Sequence, residues 1–210
     1  MLSPAPPIRV LVVDDHPMVR DGIVALLDRQ DGMVAVGEAS DGREAIARFH
    51  ELLPDVTLMD LQMHDMGGVE AIVAIRSVAP AARILVLTTY PGDAQAVRAM
   101  RAGAAGYLLK NCIRRELVDA IRSVHVGRHA LSPEIAHDLA AHALDEPLTD
   151  REVAVLRLVA EGHPNKQIGW QLDVSTDTIK AHLKTIFAKL GVDDRTHAVT
   201  VATRRGFLSR

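Results

Sequence analysis

The sequence predicts two domains of different class: an α/β domain with a parallel sheet, followed by a small all-helical domain. Three observations predict this. Short aliphatic runs alternate with helix-period segments over roughly the first 125 residues, strand patterns are missing after that, and Pro, Gly and His collect at the changeover. With 210 residues there is room for two ordinary cores.

Five runs read as buried strands: Ile8–Val13, Val34–Glu38, Val56–Met59, Ile84–Leu87 and Gly106–Leu109. They are near-continuous Val, Ile and Leu, the pattern of strands covered on both faces. Helix-period segments lie between and after them at Met18–Arg29, Arg43–Leu52, Val69–Val78, Ala94–Arg101 and Glu116–Val124. Turn signals such as Asp31-Gly32, Asp41-Gly42, Pro54-Asp55 and Pro91-Gly92 separate them. Residues 126–146 read as a linker with one short helix, since Ser132-Pro133-Glu134 has the form of an N-cap with proline at the first helical position. The domains are therefore expected at 1–125 and 147–210.

Charge is distributed unevenly. The chain carries a net −3, made of −3 over residues 1–125, −3 over 126–147 and +3 over 148–210. A polyanion, if bound, is expected at the C-terminal domain. The single cysteine, Cys112, excludes an internal disulfide framework. No basic-then-apolar leader or long apolar run is present, so the expected location is the cytoplasm, without a membrane partner. The ten histidines include His125 and His129 at i, i+4 spacing, but Gly127 lies between them and no Cys cluster supports a metal reading.

In open α/β sheets, ligands bind beyond the carboxyl ends of the strands. Here those ends carry Asp14-Asp15, Asp60, Thr88 and Lys110. Crowded carboxylates call for a cation or a proton between them, and an oxygen-rich cluster suits Mg²⁺. An Asp can attack phosphorus, with a lysine and a hydroxyl stabilising the transferred group. Taken singly, the Asp pair could cap a helix, and Thr88 and Lys110 could be solvated.

The segments Val12-Val13-Asp14-Asp15-His16, Leu58-Met59-Asp60, Leu87-Thr88-Thr89 and Gly106-Tyr107-Leu108-Leu109-Lys110 resemble the receiver domain of two-component response regulators over about residues 8–125. The resemblance implies a flavodoxin-like fold, a five-stranded parallel sheet of order 2-1-3-4-5. It implies that Asp60 takes a phosphoryl group from a sensor histidine kinase. It implies that Asp14, Asp15, Asp60 and the backbone carbonyl of Gln62 bind Mg²⁺, that Thr88 and Lys110 engage the phosphoryl group, and that Tyr107 is a rotamer switch. One departure stands out: the family usually has Met-Pro-Gly-Met-Asp-Gly where this chain has Met63-His64-Asp65-Met66-Gly67-Gly68. Losing the proline is expected to loosen that turn.

In the second domain, Ile179, Leu183, Ile186 and Leu190 form one apolar stripe, with Asp177, Lys180, Ala181, Lys184 and Ala188 opposite. Asn165–Leu172 is a second short helix, and Ser175 is the expected N-cap of the longer one. Helix, short turn and helix with a small, basic outer face fits a major groove. A solvated helix in a small bundle would show the same spacing. The segments Leu148-Thr149-Asp150-Arg151-Glu152, Leu158-Val159-Ala160-Glu161-Gly162, Asn165-Lys166-Gln167-Ile168, Thr178-Ile179-Lys180-Ala181-His182-Leu183 and Lys189-Leu190-Gly191-Val192 resemble the LuxR-type helix-turn-helix domain over about residues 147–207. Together the two resemblances place the chain in the NarL/FixJ group. They imply double-stranded DNA as partner, contacts from Thr178, Lys180, Ala181 and Lys184, and a homodimer on activation with a helix near Asp194–Arg205 at its contact. Departures are Ala154, where Glu is usual, and Gly169-Trp170, where Ala-Glu is common; Trp170 is expected to anchor surface packing.

Two other functions remain open on the residues alone. An aspartyl-phosphate phosphatase or phosphotransferase would also use Asp60, but it needs a general acid two residues on, where this chain has Gln62. The chain is therefore expected not to be an enzyme. A C-terminal domain that binds protein instead would lack salt-sensitive DNA binding.

Overall fold

The computed structural model describes residues 6–89, 93–131, 136, 146, 148–205 and 207–208. The chain divides into two compact units that part near residue 137.

In the first unit, strands and helices alternate: β1 (Ile8–Val13), α1 (Pro17–Leu27), β2 (Met33–Ala39), α2 (Gly42–Leu52), β3 (Val56–Asp60), α3 (Gly68–Val78), β4 (Ile84–Thr88), α4 (Asp93–Arg101), β5 (Gly106–Leu109), α5 (Ile113–His125) and β6 (Ala130–Leu131). The sheet order is β2-β1-β3-β4-β5-β6, and every pairing is parallel. The pleat sorts the aliphatic runs onto two faces. Val10, Val12, Val56, Leu58, Leu85 and Leu87 pack with Ile23 and Leu27 of α1 and with Leu117, Ile121 and Val124 of α5. The alternate residues Leu11, Val13, Met59, Ile84 and Val86 are also buried, on the other face. Burial on both sides is why no polar–apolar alternation is visible in the strands.

The expected order 2-1-3-4-5 is present with one correction, a sixth strand. β6 lies inside the stretch expected to be linker. Gly127, at φ 78°, turns the chain at the end of α5, and Ala130 N–H then donates to Ala105 O (3.2 Å). Two residues are too short to carry a periodic signal. The short helix expected after Ser132 lies outside the described residues. No helix among the described residues is long and apolar enough to cross a membrane.

The second unit holds α6 (Asp150–Ala160), α7 (Asn165–Gln171), α8 (Thr176–Leu190) and α9 (Arg195–Arg204). Side chains cap three of them. Thr149 and Glu152 form a capping box on α6, Ser175 Oγ accepts from Thr178 N–H at 3.0 Å on α8, and Asp194 accepts from His197 N–H at 2.8 Å on α9. Gly191, at φ 65°, ends α8. The core gathers Val155, Leu156, Ile168, Ile179, Ile186, Ala198 and Ala202, each fully buried.

Candidate functional site

The strand ends bring the expected polar residues to one edge of the sheet. Asp60 closes β3 and Thr88 closes β4, both buried. Asp14 directly follows β1, Lys110 directly follows β5, and Asp14 is 1% exposed. Lys110 Nζ bridges the carboxylates, 2.7 Å from Asp14 Oδ2 and 2.8 Å from Asp60 Oδ2. Asp60 Oδ1 accepts from Gln62 N–H at 3.4 Å.

Burial and charge oppose each other here. Burial pushes the Asp60 carboxyl above its ordinary value; Lys110 pulls it down without cancelling that, and nearby Asp14 adds to the rise. Burial works against the Lys110 ammonium, but its contacts to Asp14 and Asp60 outweigh burial and hold its pKa above the ordinary value. Lys110 is thus a fixed cation at the site.

Two histidines adjoin Asp15. His16 Nδ1 lies 2.6 Å from Asp15 Oδ1, and His64 Nδ1 lies 2.9 Å from Asp15 Oδ2. Ligand atoms of Asp14, Asp15, His16 and Asp60 all fall within 4.8 Å of one another. The place of His16 in this group was not anticipated; its only sequence signal is adjacency to Asp14-Asp15. Three carboxylates against one ammonium leave surplus negative charge, which an oxygen-preferring divalent cation would neutralise. The donor set therefore fits Mg²⁺.

The turn after Asp60 has His64 and Asp65 in place of the family's usual proline and glycine. Asp65 adopts φ 61°, a left-handed conformation that Asp tolerates better than most residues. Gly42 N–H donates to Met66 O (3.1 Å), and Gly68 N–H donates to Leu61 O (3.0 Å). These bonds link the turn to the starts of α2 and α3. Gly68 packs so tightly that a Cβ there would lie 2.0 Å from the Asp60 carbonyl oxygen. Tyr107 is fully buried in β5.

In the second unit, α8 divides as its spacing predicts. Ile179, Leu183, Ile186 and Leu190 are buried, whereas Asp177, Thr178, Lys180, Ala181, Lys184 and Ala188 are exposed. Lys180 Nζ contacts Asp177 Oδ1 at 2.9 Å, which lowers the Asp177 pKa. A Cβ at Gly169, inside α7, would meet Val174 O at 2.7 Å. Trp170 is a correction: at 82% exposed it anchors no packing within its unit. The spacing also gave no sign of a long-range pair, Lys189 Nζ to Glu152 Oε2 at 2.9 Å, which ties α8 to the capping box of α6.

Comparison with known proteins matches each unit to a family. Residues 10–122 match the response regulator receiver domain, and residues 146–202 match the bacterial regulatory proteins of the luxR family. This chain is a two-component response regulator. It is 40% identical over 206 residues to the response regulator protein VraR of Staphylococcus aureus, across 96% of this chain and 99% of the relative. Among solved structures it is similar to the response regulator ChrA of a heme-sensing two-component system (37% identity, TM-score 0.57, 97% of this chain and 100% of that one). It is also similar to RcsB from Salmonella enterica serovar Typhimurium bound to promoter rprA with the phosphomimetic BeF3⁻ (27% identity, TM-score 0.66, 94% and 98%). As a response regulator with a LuxR-type domain, the chain acts on DNA and answers to a kinase.

Proposed function

We propose that Asp60 is the phosphoacceptor and that its phosphorylation controls DNA binding through α8. The observation that carries this is the Lys110 bridge, which places a permanent cation against the Asp60 carboxylate at the sheet edge, beside Thr88 at the end of the neighbouring strand. An Asp60 oxygen attacks the phosphorus of a kinase phosphohistidine; the O–P bond forms, the P–N bond breaks, and the electron pair leaves with the imidazole, which takes up a proton. Lys110 neutralises the phosphoryl oxygens, and Thr88 donates a hydrogen bond to one of them. Asp14, Asp15, Asp60 and the Gln62 carbonyl would hold Mg²⁺, which supplies further neutralisation of the transferring group. Tyr107 follows the occupancy of the site as the switch residue. No general acid stands at Gln62, so the chemistry ends at the protein's own phosphorylation, and the chain is not otherwise an enzyme.

We take residues 1–125 as the receiver, with β6 as an appended edge strand, 126–146 as the connector and 147–210 as the DNA-binding domain. Thr178, Lys180, Ala181 and Lys184 face the major groove. The active species is a cytoplasmic homodimer with α9 at its contact, so that two readers occupy two half-sites. Acetyl phosphate or phosphoramidate with Mg²⁺ should add one phosphoryl group to the intact protein by mass and none to Asp60→Asn. Undiminished labelling of the variant would overturn the assignment.

A further inference from the structure

Asp15, the second carboxylate after β1, stands between two imidazoles. His16 Nδ1 lies 2.6 Å from its Oδ1, and His64 Nδ1 lies 2.9 Å from its Oδ2. The Asp15 side chain is 10% exposed, and its Oδ1 is buried with no hydrogen-bond partner among the described residues. His16 Nδ1 therefore touches that oxygen without hydrogen-bonding to it. Two donor atoms that share one ion stand in this relation: bonds of about 2.1 Å at right angles set neighbouring ligand atoms about 3 Å apart. Oxygen atoms of Asp14 and Asp60 complete the group, and all four ligand atoms lie within 4.8 Å of one another. Helix capping does not account for His16, whose side chain makes no capping bond to α1. Nearby cations leave the group negative. Lys110 offsets one of the three carboxylates, and Arg20, which donates to Asp14 O at 2.7 Å, is itself paired with Glu38 at 3.2 Å.

An imidazole among carboxylates changes which ion a site prefers. Mg²⁺ favours oxygen donors. Imidazole favours first-row transition metals, whose affinity for a mixed site rises from Mn²⁺ towards Cu²⁺. Partners that fix the direction of a ligating carboxylate change metal affinity by about 10–100-fold. His64 contacts the other oxygen of Asp15, from the position where the family usually has proline. We propose that the acidic edge is a mixed nitrogen–oxygen site that takes a first-row transition-metal dication in preference to Mg²⁺. His16 Nδ1 joins Asp14, Asp15 and Asp60 as a ligand, and His64 is the positioning residue that holds Asp15. This deepens, and rests on, the reading of the same carboxylates as a divalent-cation site.

The probe is Mn²⁺, added at one equivalent to the full chain. Bound ion is counted by electron paramagnetic resonance, and a coordinated nitrogen shows as a ¹⁴N coupling in the pulsed experiment. Added Mg²⁺ measures the preference by displacement. Both imidazoles are largely exposed, so their variants keep the fold. The native chain should show the ¹⁴N coupling. His16→Gln should lose it, still bind one ion, and prefer Mn²⁺ over Mg²⁺ about tenfold less. His64→Pro should keep the coupling and bind Mn²⁺ about tenfold more weakly; His64→Asn, whose amide can donate to Asp15, should recover most of that loss. Bound Mn²⁺ without ¹⁴N coupling, or a coupling that survives in His16→Gln, would overturn the nitrogen ligand and leave an all-oxygen site standing. His64→Pro within twofold of the native affinity would overturn its positioning role. Undiminished Mn²⁺ and Mg²⁺ binding by Asp60→Asn would instead overturn the divalent-cation reading itself, and this inference with it.

Discussion

Substituting alanine for glycine at two helical positions of the receiver should act with opposite sign. Gly68 opens α3, and an alanine Cβ there would sit 2.0 Å from the Asp60 carbonyl oxygen and 2.9 Å from both Asp60 C and Leu61 Cα. Ordinary contact is about 3.5 Å, so the backbone carrying the phosphoacceptor must move by roughly 1.5 Å. All three neighbours are backbone atoms, and no side-chain rotation relieves the clash. Helix propensity alone would favour alanine by up to ~1 kcal/mol; overpacking costs about 1–3 kcal/mol, and the clash should win. A net loss of ~1–2 kcal/mol corresponds to a melting point lower by about 5–10 °C for a unit of this size. Phosphorylation should suffer more than stability, because a shift of ~1 Å at a reacting group can cost about 10²-fold in rate. Gly22, in the middle of α1, has nothing within 4 Å of its would-be Cβ. Gly22→Ala should therefore stabilise by up to ~1 kcal/mol and leave labelling intact. Thermal scans with acetyl-phosphate labelling measure both. Gly68→Ala melting at or above the native temperature with native labelling would refute the packing account.

Four further outcomes follow from the second unit. Lys189→Met leaves Glu152, 5% exposed, without its ammonium partner, and should cost about 3–5 kcal/mol in denaturant melts of that unit. Glu152 also fixes an acid limit: burial opposes its charge, but Thr149 and Lys189 outweigh burial and hold its pKa below 4.5. A carboxyl depressed in the folded state stabilises fully above its unfolded value and loses that contribution as pH falls through the folded one, so Glu152→Gln should flatten the stability profile below about pH 5. Lys184→Ala should weaken operator binding by about 1–3 kcal/mol if the lysine contacts a base; an equal loss on random DNA would make it a phosphate contact only. Asp177→Asn should raise affinity for all DNA, since it removes a repelling charge and frees Lys180, and titrations over single-base operator variants should show no relaxation at any one position.

The strands and the acidic edge were legible because their signals are local. Val-, Ile- and Leu-rich runs end in charged residues, and a parallel sheet then gathers those ends without further instruction. The division of α8 into a buried apolar stripe and an exposed basic side was legible for the same reason: its stripe and its N-cap lie within one helix. What escaped depends on pairs distant in sequence or on backbone shape. The two-residue strand β6 exists only because β5 offers it an edge. Lys189 and Glu152 are 37 positions apart, and Arg195 and Asn165 are 30 apart; neither pair has a spacing rule. The hydrogen bonds that Gly42 and Gly68 donate into the turn after Asp60 come from the starts of α2 and α3, and the turn's own residues give no sign of them. Trp170 suggested packing, but its face of α7 points to solvent.

The central claim is that the state of Asp60 sets DNA affinity. It is tested most directly by measuring operator affinity and solution mass of the full chain with and without beryllofluoride and Mg²⁺, beside Asp60→Asn treated in the same way. Beryllofluoride should tighten binding and shift the native chain towards a dimer while leaving Asp60→Asn unchanged. Equal affinity and equal mass in both states of the native chain, or an equal response from the variant, would contradict the account.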